Sequence, residues 1–388
     1  MPEVTWEDLA AHALRRQFPE PPSRTPGVAD VVDLLQRVGP LQTQNARAAF
    51  IGIAARLPGV THEVITAAYE EHRILRGSNL RGTVHTSTAA DHPLLEATTR
   101  IGQRALYHRH LRPVATSLDE IFAGIEDYAR DEWRTPAQLR EHLGAWMSEH
   151  DPQGQPQLET TAGRYFGFGH GGLVRRPLSG PWSGQGAPGY RTASALLAPA
   201  DIGERTRLLA DSDAAVEAMI RRHLTAYGPV SRNDIAWWSG VGLTPIDAGL
   251  QRLAAELHSM TGPDGRTYVT LTTPAAPSDA DIPGIALLPE FDALLCGFDP
   301  PARSRFVDPR HYDILWRQEN GLLLAPLLVR GRLTGYWTLA GTGGRRELTV
   351  SYFRGTPRPT KSLLTAPVAG LERALGVRVG TVAIARHS

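Results

Sequence analysis

Three stretches of this chain repeat one order of elements: an amphipathic helix, a short Gly-Pro or Thr-Pro step, further short helices, then a β-hairpin. The first begins with ADVVDLLQRVG (29–39), where Val31, Val32, Leu34, Leu35 and Val38 recur on one helical face. An extended PLQTQ (40–44) follows, then a helical NARAAFIGIAARL (45–57), a break at Pro58-Gly59, and a helix opened by Thr61. Residues 74–88 close the copy as a hairpin, with its bend expected at Gly77, Ser78 and Asn79. The second copy has helices over 118–133, 134–146 and 160–172 and a long hairpin, 173–194, with a Gly/Pro-rich tip. The third gives helix, turn and helix over 214–240, a further helix in LTPIDAGLQRLAAEL, and a hairpin turning at Pro263-Asp264-Gly265. Three helices and a hairpin are the winged-helix plan, a helix-turn-helix variant that lays a helix in a DNA groove. Repetition on the scale of a whole unit is hard to obtain by chance.

Past residue 280 the texture changes to short strand-like runs, closed by a helix around 361–375 and a strand over 377–384. The expected class is therefore α+β: tandem winged-helix units with a β-rich C-terminal region. A chain of 388 residues exceeds one compact core, and the expected limits are 1–95, 96–205, 206–278 and 279–388. Cys296 is the single cysteine, so an intramolecular disulfide and a cysteine-rich zinc site are both excluded. A reducing cytoplasm is the expected compartment. The opening MPEVTWEDLAAHALRRQF mixes acids and arginines with its apolar residues, unlike a signal peptide or a membrane span, and no membrane contact is expected. Net charge is +1, and 40 of the 41 basic residues are arginine, with Lys361 the exception. A chain so close to neutrality binds a polyanion only by gathering arginines on one face.

Several segments resemble the bacterial DNA glycosylases of the AlkZ type. They are YGPVSRNDIAWWSG (227–240), LLPEFDALLCGF (287–298) followed by Arg303 and Arg305, NGLLLAPLLVRGRLTGYW (320–337), and a Gln-x-Gln at Gln42–Gln44. The likeness runs over roughly residues 28–355. It implies a C-shaped array of winged helices with a concave face for duplex DNA, and excision of N7-alkylated guanines without metal or cofactor. It further implies that some members unhook crosslinks as self-resistance in antibiotic producers. The middle position of the motif, usually aliphatic in the family, is Thr43 here.

Gln42 and Gln44 lie two apart in an extended segment, which predicts side chains on one face. Taken from the pattern alone, they are equally polar residues on a sheet edge; the resemblance gives them a catalytic role. Neutral amides are not strong bases, but they hydrogen-bond a water and set their oxygens against charge developing at the sugar carbon. That suffices when the leaving base is already cationic.

Expected DNA contacts are Arg81, His85 and Thr86 on the first hairpin, Arg109 in a basic cluster, Arg175 and Arg176 on the second hairpin, and Arg345 and Arg346 at a basic turn over 340–348. Trp237 and Trp238 read as core, and Phe291 and Asp292 with Arg303 and Arg305 as a structural corner. There is no Walker loop, dinucleotide fingerprint, His-Glu-x-x-His or nucleophile elbow. The partner expected is double-stranded DNA carrying alkylated bases, bound by a monomer. Two rivals stay open: a non-enzymatic winged-helix regulator or architectural protein, and a small-molecule hydrolase or antibiotic-sequestering protein.

Overall fold

In the computed structural model, which describes residues 2–387 except 155, 157, 160–164, 272–282 and 318–321, helices and sheets mix in an α+β fold. Helix α1 (Trp6–Gln17) starts from a reciprocal cap between Thr5 and Asp8. Gln17, at its end, is buried and donates to the carbonyls of Val38 (2.8 Å) and Ala226 (2.9 Å), joining distant segments. Helix α2 (Val28–Val38) buries the stripe its periodicity predicts. Then come β1 (Leu41–Gln42), α3 (Arg47–Ala54) and α4 (His62–Glu70), the last capped by Thr61. Strands β2 (Ile74–Asn79) and β3 (Thr83–Thr88) pair without interruption from Ile74↔Thr88 to Asn79↔Thr83. The bend therefore falls on Leu80–Gly82, not on Gly77–Asn79 as the sequence suggests. Arg81 and Gly82 supply the positive φ of that turn, at 58° and 71°.

Helix α5 (His92–Leu111) is followed by α6 (Leu118–Tyr128) and α7 (Pro136–His150), both begun by capping boxes. The helix expected over 160–172 falls partly outside the described residues; from Tyr165 onward the chain runs in turns and bends. Strands β4 (Leu173–Pro177) and β5 (Pro188–Thr192) extend the first sheet, whose order is β1-β3-β2-β4-β5. The joint is Gly77 against Val174, a close approach in which a Cβ on Gly77 would lie 3.1 Å from the Leu173 carbonyl oxygen. The Gly/Pro-rich tip folds back onto α4. Trp182 stacks on Tyr69 at 4.3 Å and donates to Glu70 at 2.6 Å.

Helices α8 (Pro199–Ala210) and α9 (Ser212–Tyr227) precede β6 (Val230–Ser231), α10 (Arg232–Ser239), α11 (Leu243–Arg252), β7 (His258–Thr261) and β8 (Thr267–Thr270). The three strands pair as β6-β8-β7. Helix α5 runs through residue 95 and α8 through residue 205, so two expected limits fall inside helices rather than in linkers.

The C-terminal region contains β9 (Ile285–Leu287), α12 (Ala293–Cys296), α13 (Pro309–Leu315), β10 (Trp316–Arg317) and β11 (Leu322–Leu323). It continues with β12 (Ala325–Val329), β13 (Arg332–Ala340), β14 (Arg345–Tyr352), α14 (Lys361–Leu375) and β15 (Arg378–Arg386). The sheet order is β15-β14-β13-β12-β9. Its β14–β15 pair is parallel, and α14 makes the crossover that a parallel pair needs. Leu14, Ile220, Trp238, Leu294, Phe298 and Phe353 belong to one apolar core, so α1, the middle of the chain and the C-terminal region are packed together.

Candidate active site

The Gln-Thr-Gln segment lies at the edge of the first sheet. Leu41 pairs with Thr86 and Gln42 with His85, and the Thr43 amide donates to the Val84 carbonyl at 2.7 Å. Thr43 is fully buried, with its hydroxyl 3.2 Å from that of Thr86, which in turn meets the Tyr69 hydroxyl at 2.6 Å. The middle position thus points into the interior, where an aliphatic residue or a satisfied hydroxyl serves. Alternation sends Gln42 the other way. Gln44 lies past the end of β1, and its side-chain oxygen turns back to accept the Val84 N–H at 3.2 Å, taking the place of a ladder bond. Gln42 is 8 % exposed and Gln44 is exposed. Gln42, through its backbone, and Gln44, through its amide, meet the same short length of β3.

Two arginines brace the motif. Arg76 donates to the Thr43 carbonyl at 2.9 Å, and Arg81 donates to Gln42 Oε1 at 2.8 Å. Sequence reasoning passes over Arg76, because a bend at Gly77–Asn79 would set it at the hairpin tip rather than opposite Thr86. Burial, with the charge of Arg175 next, pushes its pKa down to about 10. Three expected DNA contacts are corrected here. Thr86 is fully enclosed by Thr43 and Tyr69 and reaches no phosphate. His85 is buried too, and its Nδ1 donates to the Thr83 carbonyl at 3.1 Å. Burial, then the Arg81 charge, pushes the His85 pKa down to about 3, so it is a neutral ring. Arg81, half-buried at the turn, directs its guanidinium onto Gln42 and the carbonyls of Trp237 and Trp238.

The loop at 289–292 closes another side of the site. Glu290 takes a 2.6 Å ion pair from Arg47, just beyond the motif, and Asp292 takes two 2.9 Å bonds from Arg56. Between these anchors Phe291 holds φ of 61°, a strained value for a bulky residue. The expected corner exists, but its partner is Arg56. The Asp292–Arg56 pair has no exposed side-chain surface, so Asp292 is an internal anchor of this loop. Arg303 packs instead against Trp316 (4.2 Å to the ring centre) and Trp237 (4.7 Å), and Arg305 approaches Asp234 at 3.7 Å. Trp238 is core as expected, whereas Trp237 is only half-buried.

The remaining arginines are more open. Arg175 and Arg176 are half-buried on β4; Arg175 lies over Tyr190, while Arg176 lies 3.7 Å from Glu70. Arg109 is exposed near the end of α5. Residues 341–344 form an exposed tip between β13 and β14, with Arg345 exposed and Arg346 half-buried. The parallel partner β15 adds Arg378 directly opposite Arg345. Among the described residues no cluster of three or more His, Cys, Asp or Glu side chains is placed to hold a metal ion, and no helix is long and apolar enough to cross a membrane.

Comparison with known proteins gives this α+β chain its class, a DNA glycosylase. A family model described as DNA glycosylase AlkZ-like matches residues 35–375, and the chain belongs to that family. Its fold is similar to that of the Streptomyces sahachiroi DNA glycosylase AlkZ, with a TM-score of 0.77 and 21 % identity over 98 % of this chain and 100 % of that one. No curated protein matches the sequence.

Proposed function

We propose that this glycosylase hydrolyses the N-glycosidic bond of bulky, cationic N7-alkylpurines in duplex DNA, with Gln42 and Gln44 holding the attacking water. The observation that supports the reading is that both glutamines are held against β3, Gln42 paired with His85 and Gln44 bonded to the Val84 N–H. Each oxygen already accepts one protein hydrogen bond, from Arg81 or from the Val84 N–H. Each amide therefore keeps an NH₂ group and a second lone pair for a water molecule. No strong base is required, because a purine alkylated at N7 leaves as a neutral base. Neutral His85 beside Gln42 adds no competing charge.

We read the three helix-and-hairpin stretches as winged helices, arranged with the C-terminal region around a concave DNA face and acting as a monomer in the cytoplasm. Arg175 and Arg176 near the motif, Arg109 on α5, and Arg345 and Arg346 at the β13–β14 turn would hold phosphates. An open face suits an adduct too large to swing into a closed pocket. The same logic extends to one strand of an interstrand crosslink and to self-resistance in a producer of an alkylating antibiotic.

The test is abasic-site formation in duplex DNA carrying N7-alkylguanine. Gln44→Ala is expected to release the base about 100-fold more slowly than the parent, the scale of losing one positioned polar group at a reacting centre. Gln42→Ala is expected to do the same. Release by both variants at the parental rate would sink the mechanism.

A further inference from the structure

The structure assigns Arg81 a role distinct from phosphate contact: it is a positioning residue that fixes the amide of Gln42. The inference rests on the hydrolytic role proposed for that glutamine. Arg81 occupies the tightest point of the β2–β3 turn, with φ of 58°, in a segment where Leu80 is completely buried. From this turn the side chain reaches both Gln42 and α10. There the guanidinium spans two elements. One terminal nitrogen donates to Gln42 Oε1 at 2.8 Å, and the other donates to the carbonyl of Trp238 and, at 3.4 Å, to that of Trp237.

Those two carbonyls belong to the last turn of α10, where unpaired carbonyls gather partial negative charge. Among the described residues no carboxylate pairs with Arg81, so the helix end acts as its counter-charge. The chain makes room for this contact. Gly240, which ends α10 at φ of 77°, faces Arg81 closely enough that a Cβ there would stand 3.2 Å from Arg81 Cγ. The guanidinium is a rigid fork, so anchoring one arm on α10 fixes where the other arm points.

The chemical consequence lies in the symmetry of an amide. A terminal amide can turn over and exchange its oxygen with its NH₂, and a water molecule would then meet an acceptor in one orientation and a donor in the other. Arg81 offers only donors, so it selects the orientation with Oε1 toward itself and leaves Nε2 for the opposite side. The same bond draws electron density toward the oxygen and strengthens the remaining N–H donors. Arg81 thereby sets the orientation and the donor strength of Gln42, referred to a helix from a different part of the chain.

The experiment compares parent, Arg81→Met, Arg81→Lys, Gln42→Ala and the Gln42→Ala/Arg81→Met double variant. Single-turnover release of N7-alkylguanine and affinity for the same duplex are measured separately, with thermal melts to check folding. Arg81→Met is expected to slow release by about 10- to 100-fold, the scale of a misplaced reacting group, while affinity changes by less than about threefold. Arg81→Lys restores part of the rate, since an ammonium still donates to Gln42 without spanning to α10. The double variant is no slower than Gln42→Ala alone, because Arg81 acts through that side chain. If Arg81→Met does not fold, the lysine variant and its own combination with Gln42→Ala decide the matter by the same criteria. A parental rate in both arginine variants overturns the assignment, as does a loss confined to affinity with a shallower salt dependence, or a double-variant loss equal to the product of the single ones. Parental release by Gln42→Ala sinks the hydrolytic reading beneath it, whereas a slow Gln42→Ala beside unimpaired arginine variants sinks this inference alone.

Discussion

Asp292 and Arg56 stand 236 positions apart in sequence and form a doubly hydrogen-bonded ion pair with no side-chain exposure. Their pairing holds one end of the loop whose other end Glu290 fixes to Arg47, so Phe291 keeps its strained backbone only while both anchors stand. Removing one partner leaves a buried charge without compensation, which costs about 3–5 kcal/mol. Asp292→Ala is expected to lose stability of that order in urea unfolding. Sequence alone suggests that this segment makes a corner, and it does. The partner is out of its reach, because an ion pair between distant positions leaves no periodic trace; the nearer arginines, Arg303 and Arg305, are the natural but mistaken choice. Thr43 shows the opposite case. Its place between two glutamines in an extended run already implies that it faces away from them, and the hydroxyl bond to Thr86 accounts for the polar residue there.

Among the elements, those with clean apolar periodicity are legible almost to the residue. Helix α2 bears its expected stripe, and α14 spans the expected range. Helix α5 escapes such reading although it is 20 residues long, because its buried positions include His92, Glu96, Thr98 and Thr99, which blur the apolar pattern. The β13–β14 hairpin is legible from its flanking strands, but the place of Arg378 is not, since a parallel neighbour reached through a crossover helix has no local signature. Arg345, Arg346 and Arg378 thus collect on one end of the sheet. Changing all three to alanine is expected to weaken duplex binding regardless of sequence. The plot of log affinity against log salt should flatten by about 0.9 for each phosphate no longer neutralised. Fluorescence anisotropy titrations from low to moderate salt measure this directly, and release from the saturated complex should stay near the parental rate.

At the scale of the whole molecule, the interior carries titratable groups that tie stability to pH. His85 and His223 are both buried and pushed down to about 3, His223 while donating to the Gly297 carbonyl at 2.9 Å. An unfolded histidine titrates near 6.5, so between about pH 3 and 6.5 the unfolded chain binds more protons. Their contribution is complete above about pH 6.5 and is lost as the pH falls. Asp234, pushed up to about 6 by burial, works in the opposite sense, its contribution fading as the pH rises above the ordinary carboxylate value. His92 and His170 are likewise pushed down by burial, so with four histidines against one aspartate the melting temperature is expected to fall between about pH 7.5 and about pH 5. Differential scanning fluorimetry should show a shallower fall for His223→Gln.

The single pairing of Gly77 with Val174 makes the first hairpin and the second a continuous board rather than two tiles laid side by side. An array of separable modules could shed one and close the gap. Here, cutting out the second hairpin would lay bare a raw strand edge, with unpaired amides and carbonyls open to any other extended chain. Only β3 would then separate that edge from the strand bearing Gln42. The part that looks like an accessory is the selvage that keeps the first sheet from fraying.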